Sequence, residues 1–133
     1  MAKRVINPPT LSAPRGFSHA IEASGRRLLF LAGQVAFNQT GVVVGQQDLP
    51  TQFRQVMENL KAVVESEGGS LRDIVKLTIY VLDKTLYRSN GQAIGQIYRE
   101  YFGRYYPAMT LVEVRSLYDD GCMIEIDGIA VLE

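Results

Sequence analysis

Residues 48–82 admit few folds. Apolar side chains stand at positions 49, 53, 56, 60, 63 and 64, a spacing that gathers them on one stripe of a helix. Asp48 is placed to cap that helix, Pro50 fits its first turn, and Gly68-Gly69 stops it. Residues 74–82 then switch to period two. Val75, Leu77, Ile79 and Val81 form a wholly apolar set, and Ile74, Lys76, Thr78 and Tyr80 form the other. A one-sided helix feeding a one-sided strand calls for a sheet with helices packed on one face.

The flanking segments fill in that sheet. Pro8, Pro9, Pro14 and Gly16 mark an extended, turning lead-in. Residues 17–23 alternate loosely as a strand, and residues 28–34 form a short apolar strand ending near Gly33. Val42-Val43-Val44 is a further β-branched run, while residues 83–91 are polar and irregular. A second helix is expected from about Asn90 to Phe102, with Ile94, Ile97, Tyr98, Tyr101 and Phe102 on one side and Gly103 closing it. Strands follow at 110–116 and 122–132, and the Tyr118-Asp119-Asp120-Gly121 turn between them predicts a hairpin. The sum is an α+β domain, a mixed sheet with two helices on one face. Ile74, Thr78, Tyr80 and the apolar members of the last hairpin are then left on the open face. A chain of 133 residues has no third layer to cover them, so a homo-oligomer is expected.

Composition narrows the function. The length predicts a single domain over 1–133. Fourteen basic and fourteen acidic side chains balance, which argues against an electrostatic grip on nucleic acid. One Cys and one His exclude an internal disulfide framework and a self-contained four-ligand zinc site. The N-terminus has a basic pair, Lys3-Arg4, with no apolar run behind it, and Leu28-Leu29-Phe30-Leu31-Ala32 is far short of the ~20 residues of a membrane helix. A soluble, cytoplasmic protein without a membrane partner is the expectation.

Residue patterns that carry chemistry are sparse. There is no P-loop, no Gly-x-Gly-x-x-Gly, no nucleophile elbow and no His-Glu-x-x-His, so neither a cofactor nor a metal is expected. His19 has no Cys or Asp partner nearby. Cys122 has acidic neighbours at Asp119 and Asp120, which raise a thiol pKa and make it a poor nucleophile. The last strand offers more. Met123, Glu125 and Asp127 share one face and Ile124 and Ile126 the other. Either carboxylate, once buried, would serve as a proton shuttle near neutral pH, whereas a solvated acidic face would do nothing. Glu113 adds a third carboxylate on the preceding strand.

Several spaced segments resemble the Rid family, also called YjgF-like, of reactive-intermediate (enamine/imine) deaminases. They are Phe30-Leu31-Ala32-Gly33-Gln34, residues 59–65, residues 73–81, Tyr106-Pro107-Ala108 and residues 124–131. The resemblance runs from about residue 5 to the C-terminus. It implies a chorismate-mutase-like fold and a homotrimer with three small-molecule clefts between subunits. It also implies Glu125 as the acid that positions the hydrolytic water. Deaminases of this family carry an arginine after Pro-Ala to hold the substrate carboxylate, and here Met109 stands there. Arg115 is six residues along the strand, ~20 Å away, and Arg104, in the loop before Pro107, is a remoter candidate. Ala32 replaces a serine, and Phe17 a tyrosine. Phe17, Ala32, Gly33, Pro107, Met109 and Leu111 are thus expected to line a comparatively apolar cleft. It would take a neutral or apolar metabolite for hydrolysis at Glu125; the alternative is a non-catalytic module that binds a metabolite or docks a partner. The family has also carried a ribonuclease and translation-inhibitor label. Balanced charge, no basic run longer than Arg26-Arg27 and a lone His argue against that activity here.

Overall fold

The computed structural model describes residues 2–133. A hairpin of β1 (Ala2–Ile6) and β2 (Ala20–Ser24) forms its own two-stranded sheet. The main sheet orders β3 (Arg27–Gln34), β6 (Ile124–Leu132), β4 (Ile74–Val81) and β5 (Ala108–Glu113), with α1 (Leu49–Ser66) and α3 (Gly91–Phe102) against one face. The expected α+β architecture stands.

Helix α1 follows the sequence pattern closely. The Asp48 side chain accepts from the Thr51 backbone N–H at 3.3 Å, and Pro50 sits in the first turn. Gly68 adopts φ +83°, Gly68 N–H reaches Glu65 O, and Gly69 N–H reaches Val64 O, which closes the helix as a Schellman motif. Leu49, Phe53, Val56, Met57, Leu60 and Val64 are buried, while Val63, expected on the stripe, is partly exposed.

Three elements differ from the sequence expectation. The strands at 108–113 and 124–132 are not a hairpin, because β4 lies between them. A β4–helix–β5 crossover requires parallel pairing, so β5 takes one edge of β4 and β6 runs antiparallel along the other, where it also pairs with β3. The turn at Asp119–Gly121 exists, with Gly121 at φ +87°, but it belongs to a longer connection. The second difference is Ile74. A register shift between Ile74 and Lys76 turns its side chain to the helix side, where it is fully buried. Third, Val42-Val43-Val44 forms only an isolated bridge to Phe37, since the Asn38 side chain gathers the N–H groups of Thr40 and Val42 into a turn.

Two further elements escape the sequence reading. Strand β1 lies in the segment taken as lead-in. It is held by pairing with β2, including the exposed Arg4–Glu22 ion pair at 3.3 Å. Helix α2 (Lys84–Ser89) lies in the stretch taken as irregular and is capped by Asp83, which accepts from Leu86 N–H.

Behind α3 the aromatic rings stack, Tyr98 on Phe102 at 4.6 Å and on Tyr106 at 5.0 Å between centroids. Burial pushes the Tyr87 hydroxyl up to about 12 and raises Tyr98 and Tyr105 above the ordinary tyrosine value. The folded state therefore holds these protons more tightly than the unfolded chain. Stability is full below the ordinary value near 10 and falls as pH rises above it. Urea denaturation at about pH 8 and about pH 11 should show a lower midpoint at the higher pH. Equal midpoints would contradict this account.

Candidate functional site

The helix-free face of the sheet carries two features. The first is apolar. Leu28 and Phe30 of β3 point outward, with Phe30 74% exposed, and Phe30 pairs with Ile129 of β6. The second is acidic. Glu125 and Asp127 of β6 lie on this face opposite Tyr80 and Thr78 of β4. The Tyr80 hydroxyl donates to Asp127 Oδ2 at 3.0 Å. That bond, together with burial and the charges of Asp127 and Glu125, raises the Tyr80 pKa.

Glu125 is seated on Gly33. A Cβ built at position 33 would stand 2.0 Å from Glu125 Oε2 and 3.0 Å from its Cγ. The β3–β6 register shifts between Leu31 and Gln34, which brings Gly33 up to the carboxylate. A side chain at 33 would displace the Glu125 head from this seat. Glu125 is half-buried and has no hydrogen-bond or ion-pair partner among the described residues. A carboxylate held in place without a partner is available to a ligand or a water. Cys122 is buried at the start of the same segment. Burial first, then the charges of Asp119 and Glu125, raise its thiol above the ordinary range and keep it protonated.

The other expected site residues lie elsewhere. Met109 and Leu111 pair in register with Leu77 and Ile79 and share their helix-side face. Leu77 and Tyr80 are three residues apart on β4, so Met109 and Glu125 occupy opposite faces of the sheet within one chain. Pro107 is buried beside Ser18, whose N–H donates to Pro107 O at 3.1 Å and whose hydroxyl donates to Tyr106 O at 2.5 Å. This docks the segment carrying Phe17 onto the start of β5, where Phe17 meets His19 edge to face at 5.2 Å. The expected residues thus fall into two groups. Ala32, Gly33 and Glu125 are on the open face, and Phe17, Pro107, Met109 and Leu111 are along the β5 edge.

Beside Met109, between α3 and the sheet, is a cavity of about 300 Å³. Met57, Ile79, Tyr98 and Met109 are among its walls, and Tyr87, Gly91, Gly95 and Arg99 also line it. Arg104, the remoter candidate for the missing cation, is exposed and does not line it. Gly91, Gly95 and Arg99 had a visible signal, a spacing of four along the second helix, which puts all three on one stripe. Among the described residues, no helix is long and apolar enough to cross a membrane.

Comparison with known proteins agrees with this architecture. The profile of the family described as Endoribonuclease L-PSP matches residues 9–132. A RutC family protein of Pyrococcus horikoshii is 40% identical, with 98% of this chain and 99% of that protein aligned. The crystal structure of YyfB, a Rid-family protein of unknown function from Yersinia pestis, superimposes with a TM-score of 0.89 at 41% identity, covering 99% of this chain and all of that one. A 2-iminobutanoate/2-iminopropanoate deaminase of Dermatophagoides farinae is 29% identical over 98% of each chain.

Proposed function

Since the chain belongs to the Rid family, the Endoribonuclease L-PSP group, we propose that it assembles as a homotrimer with a small-molecule cleft between neighbouring copies. In this reading each cleft joins the Glu125–Gly33 face of one copy to the Met109 edge of the next. The observation that carries it is the partnerless Glu125 carboxylate, held over Gly33 beside an exposed apolar surface. The separation of the two residue groups supports the need for a second copy.

The chemistry that fits is hydrolysis of a carbon–nitrogen double bond. Glu125 takes a proton from water as the water oxygen bonds to the imine carbon. It returns that proton to nitrogen, giving a carbinolamine; a second transfer through the same carboxylate moves the hydroxyl proton to nitrogen as the carbon–nitrogen bond breaks, and a carbonyl compound and ammonia leave. The relative named for 2-iminobutanoate and 2-iminopropanoate supports the reaction class. Phe17, Ala32 and Met109 on the cleft walls favour a substrate more apolar than those two.

The test generates imines without a carboxylate in place, with a flavin amine oxidase acting on 2-phenylethylamine, and follows aldehyde release. Glu125→Gln should lower turnover at least about a hundredfold, the usual scale of a lost general acid–base group. Unchanged turnover would overturn the assignment of Glu125. The apolar walls also favour a second reading, a cleft that binds without chemistry. Ligands that raise the melting temperature and are recovered unconsumed would establish it.

A further inference from the structure

Glu125 alone does not fix the direction from which water attacks. A water bound to one carboxylate keeps its second hydrogen and its lone pairs free to turn. The β4–β6 register supplies a second group. Tyr80 stands directly opposite Glu125, a pairing that sets Cβ atoms about 4.5–5.5 Å apart. The Glu125 charge reaches the Tyr80 phenol, where it is one of the causes that raise the phenol above its ordinary value. Tyr80 leans along the sheet to the next acid of β6, and its hydroxyl donates to Asp127 Oδ2 at 3.0 Å. That bond uses the one proton the hydroxyl has, and the upward shift keeps the proton there. The Tyr80 oxygen is left with lone pairs only, so toward any further partner it is an acceptor. Glu125 leans the other way, over Gly33 of β3, and among the described residues no hydrogen bond joins it to Tyr80. Two acceptors from neighbouring strands therefore face the same open surface without satisfying each other.

We propose that Tyr80 is the second holder of the hydrolytic water, its oxygen accepting one water hydrogen while Glu125 accepts the other. Asp127 is then a positioning residue, which keeps the Tyr80 oxygen in the accepting role. The assignment rests on the reading of Glu125 as the hydrolytic base. With both hydrogens held, the water lone pairs point away from the sheet, toward a substrate seated over it. As the water oxygen bonds to the imine carbon, the hydrogen on the Glu125 side moves to that carboxylate. Tyr80 neither gains nor loses a proton. Its bond to the remaining hydrogen is released when the new hydroxyl turns to Glu125 for the second transfer. Without Asp127 the same phenol is a donor, free to bond Glu125 itself and take the place of the water.

The test measures aldehyde release from the imine of 2-phenylethylamine, above the rate without protein, in a set of variants. Tyr80→Phe keeps the ring and removes the oxygen. It should lower kcat about tenfold, the scale of one lost hydrogen bond. KM and circular dichroism should stay unchanged, because the hydroxyl holds water and not substrate. Asp127→Ala should lower kcat to a similar extent, and the same change added to Tyr80→Phe should have no further effect. An unchanged kcat in Tyr80→Phe would overturn the proposal. So would a loss confined to KM, or effects of the two changes that multiply. Any of these beside a Glu125→Gln variant that has lost turnover would leave the reading of Glu125 standing. Turnover that survives Glu125→Gln, or its absence from the unmodified protein, would overturn both.

Discussion

Phe30→Glu should convert the proposed trimer to single chains. Phe30 is 74% exposed on the open face of β3, so in one chain it contributes little to the core and its replacement leaves the fold intact. In the assembly the same ring would be buried beside Leu28 and Ile129. Losing a buried phenylalanine forfeits about 1.5–3 kcal/mol. Placing an unpaired carboxylate in an apolar contact adds several kcal/mol more. Together roughly 4 kcal/mol per contact weakens association about a thousandfold, and a closed ring of copies suffers the loss at every contact. Sedimentation should show three chain masses for the unmodified protein and one for the variant, with matching circular dichroism. An unchanged mass for the variant would remove the open face from the interface. It would also undercut a cleft shared between copies.

Sequence and structure agree best where one segment decides its own conformation. Helix α1 carries its cap, its stripe and its Gly68-Gly69 stop within its own residues, so the periodicity located it. The second helix and its Gly103 stop were legible for the same reason. Helix α2 is six residues long, too short for a periodic signal, and rests on a single Asp83 cap. Strand β1 has no pattern of its own and exists through its pairing with β2. The hairpin expected at the C-terminus failed because a good local turn does not determine which strand occupies the neighbouring edge.

The same distinction divides the site. Alternation along β6 placed Glu125 and Asp127 on one face, and the structure agrees. That Glu125 rests on Gly33 depends on a register shift in β3, and no count along the sequence reveals it. Ile74 moved to the core through a comparable irregularity in β4. The division of the expected residues between two faces follows from register across β4, where Met109 pairs with Leu77 and Glu125 with Tyr80, three residues further along the alternation.

Gln52 was also invisible in the sequence, and its replacement should have the largest effect on stability. It lies on the buried side of α1, fully inaccessible to solvent. Its Nε2 donates to Gly121 O at 2.8 Å and its Oε1 accepts from Met123 N–H at 2.8 Å. One amide thus satisfies two backbone groups of the connection that enters β6, two residues before Glu125. Gln52→Leu keeps the approximate volume but leaves that carbonyl and that N–H without partners, at about 1–3 kcal/mol each. The added apolar burial offsets roughly 1 kcal/mol, so a net loss near 3 kcal/mol is expected. For a chain of this length that lowers the melting temperature by about 10 °C. Hydrogen exchange at the Met123 amide should accelerate more than at the Leu60 amide in the middle of α1, because the loss begins as a local release of the connection. A melting point within about 3 °C of the unmodified protein would show that the two backbone groups find other partners. Faster exchange at Met123, together with lower turnover at unchanged Glu125, would instead show that the Gln52 clamp sets where the carboxylate stands.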